Sequence, residues 1–141
     1  MAESIKISID LPVSPERAYR AWLDSYEHSQ FTGSAARIDA TAGGKYTALD
    51  GAVAGQTMVM TPFSHIVQTW HSADFPSGST PSQIDIKLEA TCLGSQLTLN
   101  QTGIPDGHSR QVMDVWENQY FRPMIAYFEA LVGDYTADMD G

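Results

Sequence analysis

The sequence predicts an α+β domain in which a curved seven-stranded antiparallel sheet wraps a long C-terminal helix. Three observations carry that prediction. The run over 109–133, SRQVMDVWENQYFRPMIAYFEALVG, places Met113, Trp116, Tyr120, Met124, Tyr127 and Leu131 at steps of three and four, with Phe121, Ile125, Phe128 and Val132 beside them. Between residues 35 and 105 the apolar period shortens to two, and no helical stretch interrupts it. Two short helical patterns separate the first strand from the rest, which is a two-layer plan and unlike a doubly wound sheet.

Residues 4–11 set Ile5, Ile7, Ile9 and Leu11 on one side and Lys6, Ser8 and Asp10 on the other, a strand with one wet face. In VSPERAYRAWL, Ser14 suits an N-cap and Pro15 the first helical position, with Ala18, Tyr19, Trp22 and Leu23 as the buried stripe. A second short helix follows from Ser25 to about Phe31, ended by Gly33. Six candidate strands come next: ARID, GGKYTAL, GQTMVMT, HIVQTWHSA, SQIDIKLEA and SQLTLNQ. Gly43-Gly44, Asp50-Gly51 and Thr61-Pro62 mark breaks between them. The loop DFPSGSTPS, 74–82, is either a lid over a cavity or a surface excursion. The terminal helix spans roughly 36 Å at about 1.5 Å per residue. Pro123 predicts a kink in it, and Gly133 its end. Residues 1–133 form one domain, and 134–141 read as an acidic flexible tail.

A hydrophobic share of 43% beside 18% charged residues is that of a folded globular chain. No apolar run is long enough to span a membrane, and the N-terminal alternation is not the plan of a signal peptide. The net charge of −9 would repel phosphate backbones, so nucleic acid is not an expected partner. One cysteine, Cys92, fits a reducing cytoplasm, and its apolar neighbours predict a buried, inert thiol.

Catalytic signatures are missing: there is no GxSxG, phosphate loop, GxGxxG or HExxH. No metal site is expected. His65 and His71 share a strand face but stand about 20 Å apart, while His28 and His108 are expected in solvated positions. Asp114 and Glu117 suit the helix dipole better than an acid/base pair. No cofactor is expected either.

The order of VSPERAYRAWLD, QFTG, GGKYTALDGAVAG, HIVQTW, SQIDIKLEA, LTLNQTGIP and VWENQYFRPMIAYFE, across residues 5–131, resembles the helix-grip fold of the START/SRPBCC superfamily. Within it the resemblance is to the domain named for the activator of the heat-shock-protein-90 ATPase. Two positions depart: Val115 stands where many relatives have Gly, and Val59 where stand-alone relatives often carry an acid. The resemblance implies a chaperone partner or a stress-response interaction. In that activator the related domain is the C-terminal part of a longer chain, so fold carries over further than activity. Some superfamily members are cyclases, dehydratases or hydrolases, but no catalytic pair is visible here.

A ligand site, if formed, would lie between sheet and helix. Its expected lining is Met113, Trp116, Tyr120 and Met124 from the helix, Met58, Met60, Trp70, Ile84, Ile86 and Leu88 from the sheet, and Trp22 or Phe31 at one end. Gln68, Gln101 and Tyr46 would supply polar contacts. A ligand-sized cavity for an apolar or aromatic small molecule and a filled core are the two alternatives at this point.

Overall fold

In the computed structural model, which describes residues 2–140 and the side chains of residues 2–132, the predicted elements follow in the predicted order. They are β1 (Glu3–Leu11), α1 (Pro15–Leu23), α2 (Ser25–Thr32), β2 (Arg37–Ile38), β3 (Lys45–Ala48), β4 (Val53–Thr61), β5 (His65–Ser72), β6 (Ser82–Thr91) and β7 (Gly94–Ile104). The terminal helix then runs as α3 (Ser109–Asp114), a π turn (Val115–Phe121) and α4 (Arg122–Asp140). The expected tail, 134–141, lies outside the residues whose side chains are described, and α4 continues past Gly133.

All seven strands join one antiparallel sheet in the order β1-β7-β6-β5-β4-β3-β2. β1 and β2 are thus opposite edges, and α1 and α2 carry the chain from one edge to the other. Ser14 caps α1, its Oγ accepting from the Arg17 N–H at 3.2 Å; Asp24 caps α2 through the Glu27 N–H at 2.9 Å. Gly33, at φ 74°, closes α2 in the left-handed conformation a side chain would oppose.

The interruption of the terminal helix takes the form of a π turn directly ahead of Pro123. The Arg122 N–H reaches back to the Glu117 carbonyl, and the proline ring falls where the α-helical ladder restarts. The same turn fixes which face is buried. Val112, Trp116, Tyr120, Met124 and Phe128 are all buried, at a strict four-residue step. In a pure α-helix, four residues overshoot one turn by about 40°, so such a stripe would wind off the sheet. The wider π turn undershoots and brings it back. That corrects Met113, expected on this face: Val112 takes the place and Met113 is only half-buried at the margin. Leu131 and Val132, expected on the two apolar ridges, are 38% and 40% exposed.

Two further expectations change. Met58 was assigned to the inner face, but the β4–β5 register shifts between Thr57 and Val59, so Met58 is 50% exposed and Thr57 takes the inward position. Cys92 is exposed, because Thr91 pairs with Gly94 and leaves Cys92 and Leu93 at the tip of a two-residue turn, beyond the last inward position.

Candidate functional site

The inner sheet face and the three helical segments meet in a layer of aromatic rings. Trp116 is the centre: its ring centroid lies 5.4 Å from Trp70 on β5, 6.1 Å from Trp22 on α1, 4.6 Å from Tyr120 and 5.5 Å from Phe121. Trp22 in turn stacks on Phe31 of α2 at 6.1 Å. These separations are those of rings in direct contact. Ile84, Ile86, Leu88, Leu97 and Leu99 floor the layer, and Met124 and Phe128 close it toward α4.

Two glutamines hold the helices to the sheet. The alternation Ile66-Gln68-Trp70 on β5 and Leu97-Leu99-Gln101 on β7 turns each amide inward. Trp22 Nε1–H donates to Gln68 Oε1 at 3.0 Å, and Gln68 Nε2–H donates to Thr57 Oγ1 at 3.1 Å. Trp116 Nε1–H donates to Gln101 Oε1 at 2.7 Å, Gln101 Nε2–H to Ser82 Oγ at 2.8 Å, and Ser82 Oγ–H to the Trp70 carbonyl at 2.6 Å. Each amide thus satisfies an indole from a helix and anchors on a hydroxyl of the next strand. Removing one partner leaves the other unpaired, at about 1–3 kcal/mol. Replacing Gln101 by Met, close in volume, is therefore expected to lower the unfolding free energy by about that amount. Urea titration followed by far-ultraviolet circular dichroism checks it, and an unchanged midpoint would show that this bond contributes nothing.

His28, expected in solvent, is buried to 2% exposure. Its helix reads as mostly polar, SYEHSQFT, and only the i, i+3 pair His28 and Phe31 turns inward. His28 Nδ1 lies 2.8 Å from the Trp22 carbonyl, which can only accept, so Nδ1 carries the hydrogen. Nε2 is then an acceptor, and Tyr120 Oη–H donates to it at 3.0 Å. Burial drives the imidazole pKa from 6.5 down to about 4, and pushes the Tyr120 phenol well above its ordinary range. The pair is neutral and enclosed by Trp22 and Phe31. It orients rings.

Tyr46 is also buried inward. It lies across Gly55, where a Cβ would come within 2.7 Å of its ring, and its hydroxyl donates to the Thr69 carbonyl at 2.6 Å. Burial, and then the neighbouring Tyr120, hold its phenol well above the usual value. Outside the ring layer, Arg17 pairs with Glu27 at 2.6 Å, Tyr127 Oη–H donates to Glu27 at 3.1 Å, and the Arg17 guanidinium lies over Phe128 at 5.6 Å. That cluster ties α1, α2 and α4 together at their solvent-facing side.

Of the residues expected to line a site, Trp22, Phe31, Tyr46, Trp70, Ile86, Leu88, Trp116, Tyr120 and Met124 share one buried cluster. Met60 is half-buried against it and lines an open groove of about 380 Å³ with Tyr19, Arg20, Leu23 and Asp24. Met58 and Met113 stand outside the cluster. Among the described residues no group of His, Cys, Asp or Glu is arranged to hold a metal ion. Asp114 and Glu117 are both exposed, and His65 meets Asp85 at 2.8 Å in a partly exposed pair. No helix among the described residues is long and apolar enough to cross a membrane. Sequence reasoning overlooked His28, Thr57 and Ser82. The need of each buried indole for an acceptor was the signal for their neighbourhood.

A seven-stranded antiparallel sheet closed on a terminal helix, with two helices bridging its edges, defines a helix-grip domain. The chain belongs to the family of activator of Hsp90 ATPase homolog 1-like proteins, whose model matches residues 12–129. It is 30% identical over 112 residues to the activator of 90 kDa heat shock protein ATPase homolog 1 of Homo sapiens, across 77% of this chain and 32% of that one. With the activator homolog of Dictyostelium discoideum it shares 28% identity over 118 residues, or 82% and 30% of the two chains. It therefore spans about a third of the length of these curated relatives. The crystal structure of an HSP90 activator from Plasmodium falciparum superposes with a TM-score of 0.78 at 22% identity, covering 92% of this chain and 96% of that one.

Proposed function

We propose that this chain is an interaction module that binds a chaperone of the 90 kDa heat-shock class through its outer surface and stimulates its ATPase. The observation that carries this reading is the state of the interior. The space where a ligand would sit holds stacked rings, with Trp22, Trp116, His28 and Tyr120 already hydrogen-bonded to one another or to the sheet. A domain whose inside is committed to its own packing acts through its outside. The human relative's name supports the partner class. The net charge of −9 calls for a basic surface on the partner, so association should slow as salt rises. A cytoplasmic setting accords with this reading, since the one thiol is exposed and has no intrachain partner.

The test is to add the chain to a purified chaperone of this class and follow ATP turnover. A saturable rise that weakens with salt is expected. Turnover unchanged at saturating chain, together with no binding in sedimentation, would overturn the proposal.

A second reading is the capture of an apolar or aromatic small molecule by the ring cluster of Trp22, Phe31, Tyr46, Trp70, Ile86, Leu88, Trp116, Tyr120 and Met124, with Met60 at its rim. The convergence of these residues on one face supports it, but the rings would have to part. An environment-sensitive apolar dye should then give a saturable signal that disappears when Trp116 is replaced. A signal that persists, or none at all, would count against it.

A further inference from the structure

The segment between β5 and β6 runs over the end of the ring layer. Its residues Asp74, Pro76, Ser77 and Gly78 are exposed, yet Phe75 among them is buried to 6% exposure. The Phe75 N–H is held by the Ser72 carbonyl at 3.0 Å. Asp74 accepts from Gln111 Nε2–H of α3 at 3.1 Å, so the segment is pinned at both the strand and the helix. The Phe75 ring sits against three others: Trp70 at 5.8 Å, His71 at 5.6 Å and His108 at 5.7 Å, each meeting it at a steep angle.

Those three neighbours share a property. Trp70 Nε1, His71 Nδ1 and His108 Nδ1 are buried and have no hydrogen-bond partner; the only other such side-chain atom among the described residues is Ser95 Oγ. Leaving a buried polar group unpaired is costly, and native proteins keep such groups few and dispersed. Here the three rings that carry them all pack against one phenyl ring, while the other two indoles, Trp22 and Trp116, both have acceptors. A phenyl ring fills the space but offers a donor no more than the weak acceptor of its π face.

We propose that Phe75 is the internal occupant of a binding site for an aromatic molecule bearing a carbonyl or carboxylate oxygen. The ligand's ring takes the place of the Phe75 ring, and its oxygen accepts from Trp70 Nε1–H, with the His71 and His108 imidazoles packed against the ring. Phe75 swings out with its segment once the Asp74–Gln111 tie to α3 opens. This site lies at the mouth of the ring layer and stands whether or not the chaperone reading does.

The test follows the three indole N–H signals of the whole ¹⁵N-labelled chain while benzoate, acetophenone or toluene is added at millimolar concentration. The expected result is a saturable downfield shift of the Trp70 signal with benzoate or acetophenone, the two distinguishing a carboxylate from a neutral carbonyl ligand, and none with toluene. Phe75→Ala should bind the same probe about tenfold or more tightly, because no occupant has to be displaced. A shift seen only in Phe75→Ala also supports the site. A Trp70 signal that stays put in both proteins, equal binding of toluene, or no tightening in Phe75→Ala would overturn the proposal. If Phe75→Ala does not fold, Phe75→Leu replaces it, and the wild-type titration alone decides between shift and no shift.

Discussion

Replacing Trp116 by alanine is expected to lower the unfolding free energy by about 3–5 kcal/mol, the range for removing a large aromatic from a packed core. Trp116 touches Trp22, Trp70, Tyr120 and Phe121, and its exposure is 0%. Its loss also removes the donor that Gln101 Oε1 accepts from at 2.7 Å. Against a total stability of about 5–15 kcal/mol for a domain of this kind, one substitution removes a large share. Trp116→Phe is the milder change. It keeps a phenyl-sized ring but loses the N–H and part of the indole volume, so a cost between about 1 kcal/mol and that of alanine is expected there. Denaturation followed by circular dichroism, which does not depend on the lost fluorophore, measures both. The magnitude also decides between the two functional readings. A side chain bordering a ligand-sized void has fewer contacts to lose, so a cost below about 1 kcal/mol for Trp116→Ala would mean the rings do not fill the interior.

The architecture was legible because two periods alternate cleanly along the chain. β1 shows its half-buried isoleucines at every second residue, and α1 its cap, proline and buried stripe at the positions the sequence indicated. Three placements were not legible, for different reasons. Met58 fails because a register shift inserts one residue between Thr57 and Val59, and nothing in GQTMVMT announces which residue is extra. Met113 fails because the step of three and four assumes an unbroken α-helix, whereas the π turn enforces a step of four. His28 fails because its burial depends on a partner distant in sequence, Tyr120, and on a carbonyl that only the α1–α2 corner presents. Periodicity finds apolar faces; it is blind to a polar residue whose requirements are met from elsewhere. The same blindness explains why Gln68 and Gln101 could be named as polar contacts while their roles, as acceptors for two particular indoles, had to come from the structure.

His28 carries the second large prediction, a pH dependence of stability. Its imidazole titrates at about 4 in the folded chain, because burial disfavours the charged form, and near 6.5 when the chain is unfolded. Between those values the unfolded state binds a proton that the folded state refuses, so stability rises with pH across this window. Its contribution is complete above pH 6.5 and is lost as the pH falls toward 4. The interval corresponds to about 3 kcal/mol. Tyr120, the hydrogen-bond partner at Nε2, does not titrate in the same window, since burial moves its phenol upward. The chain carries other ionisable groups, so the quantity to compare is the difference between the wild-type chain and His28→Gln. The wild type should lose about 3 kcal/mol more than the variant on going from pH 7 to pH 4. Tyr120→Phe offers an independent check, because it removes the O–H that Nε2 accepts and leaves that nitrogen unpaired. The variant should be less stable at pH 7, by about 1–3 kcal/mol, and that loss should shrink when His28 is already replaced. Parallel stability profiles for wild type and His28→Gln, with additive effects of the two substitutions, would mean that His28 is solvated after all and that the Tyr120 bond does not hold α2 to the terminal helix.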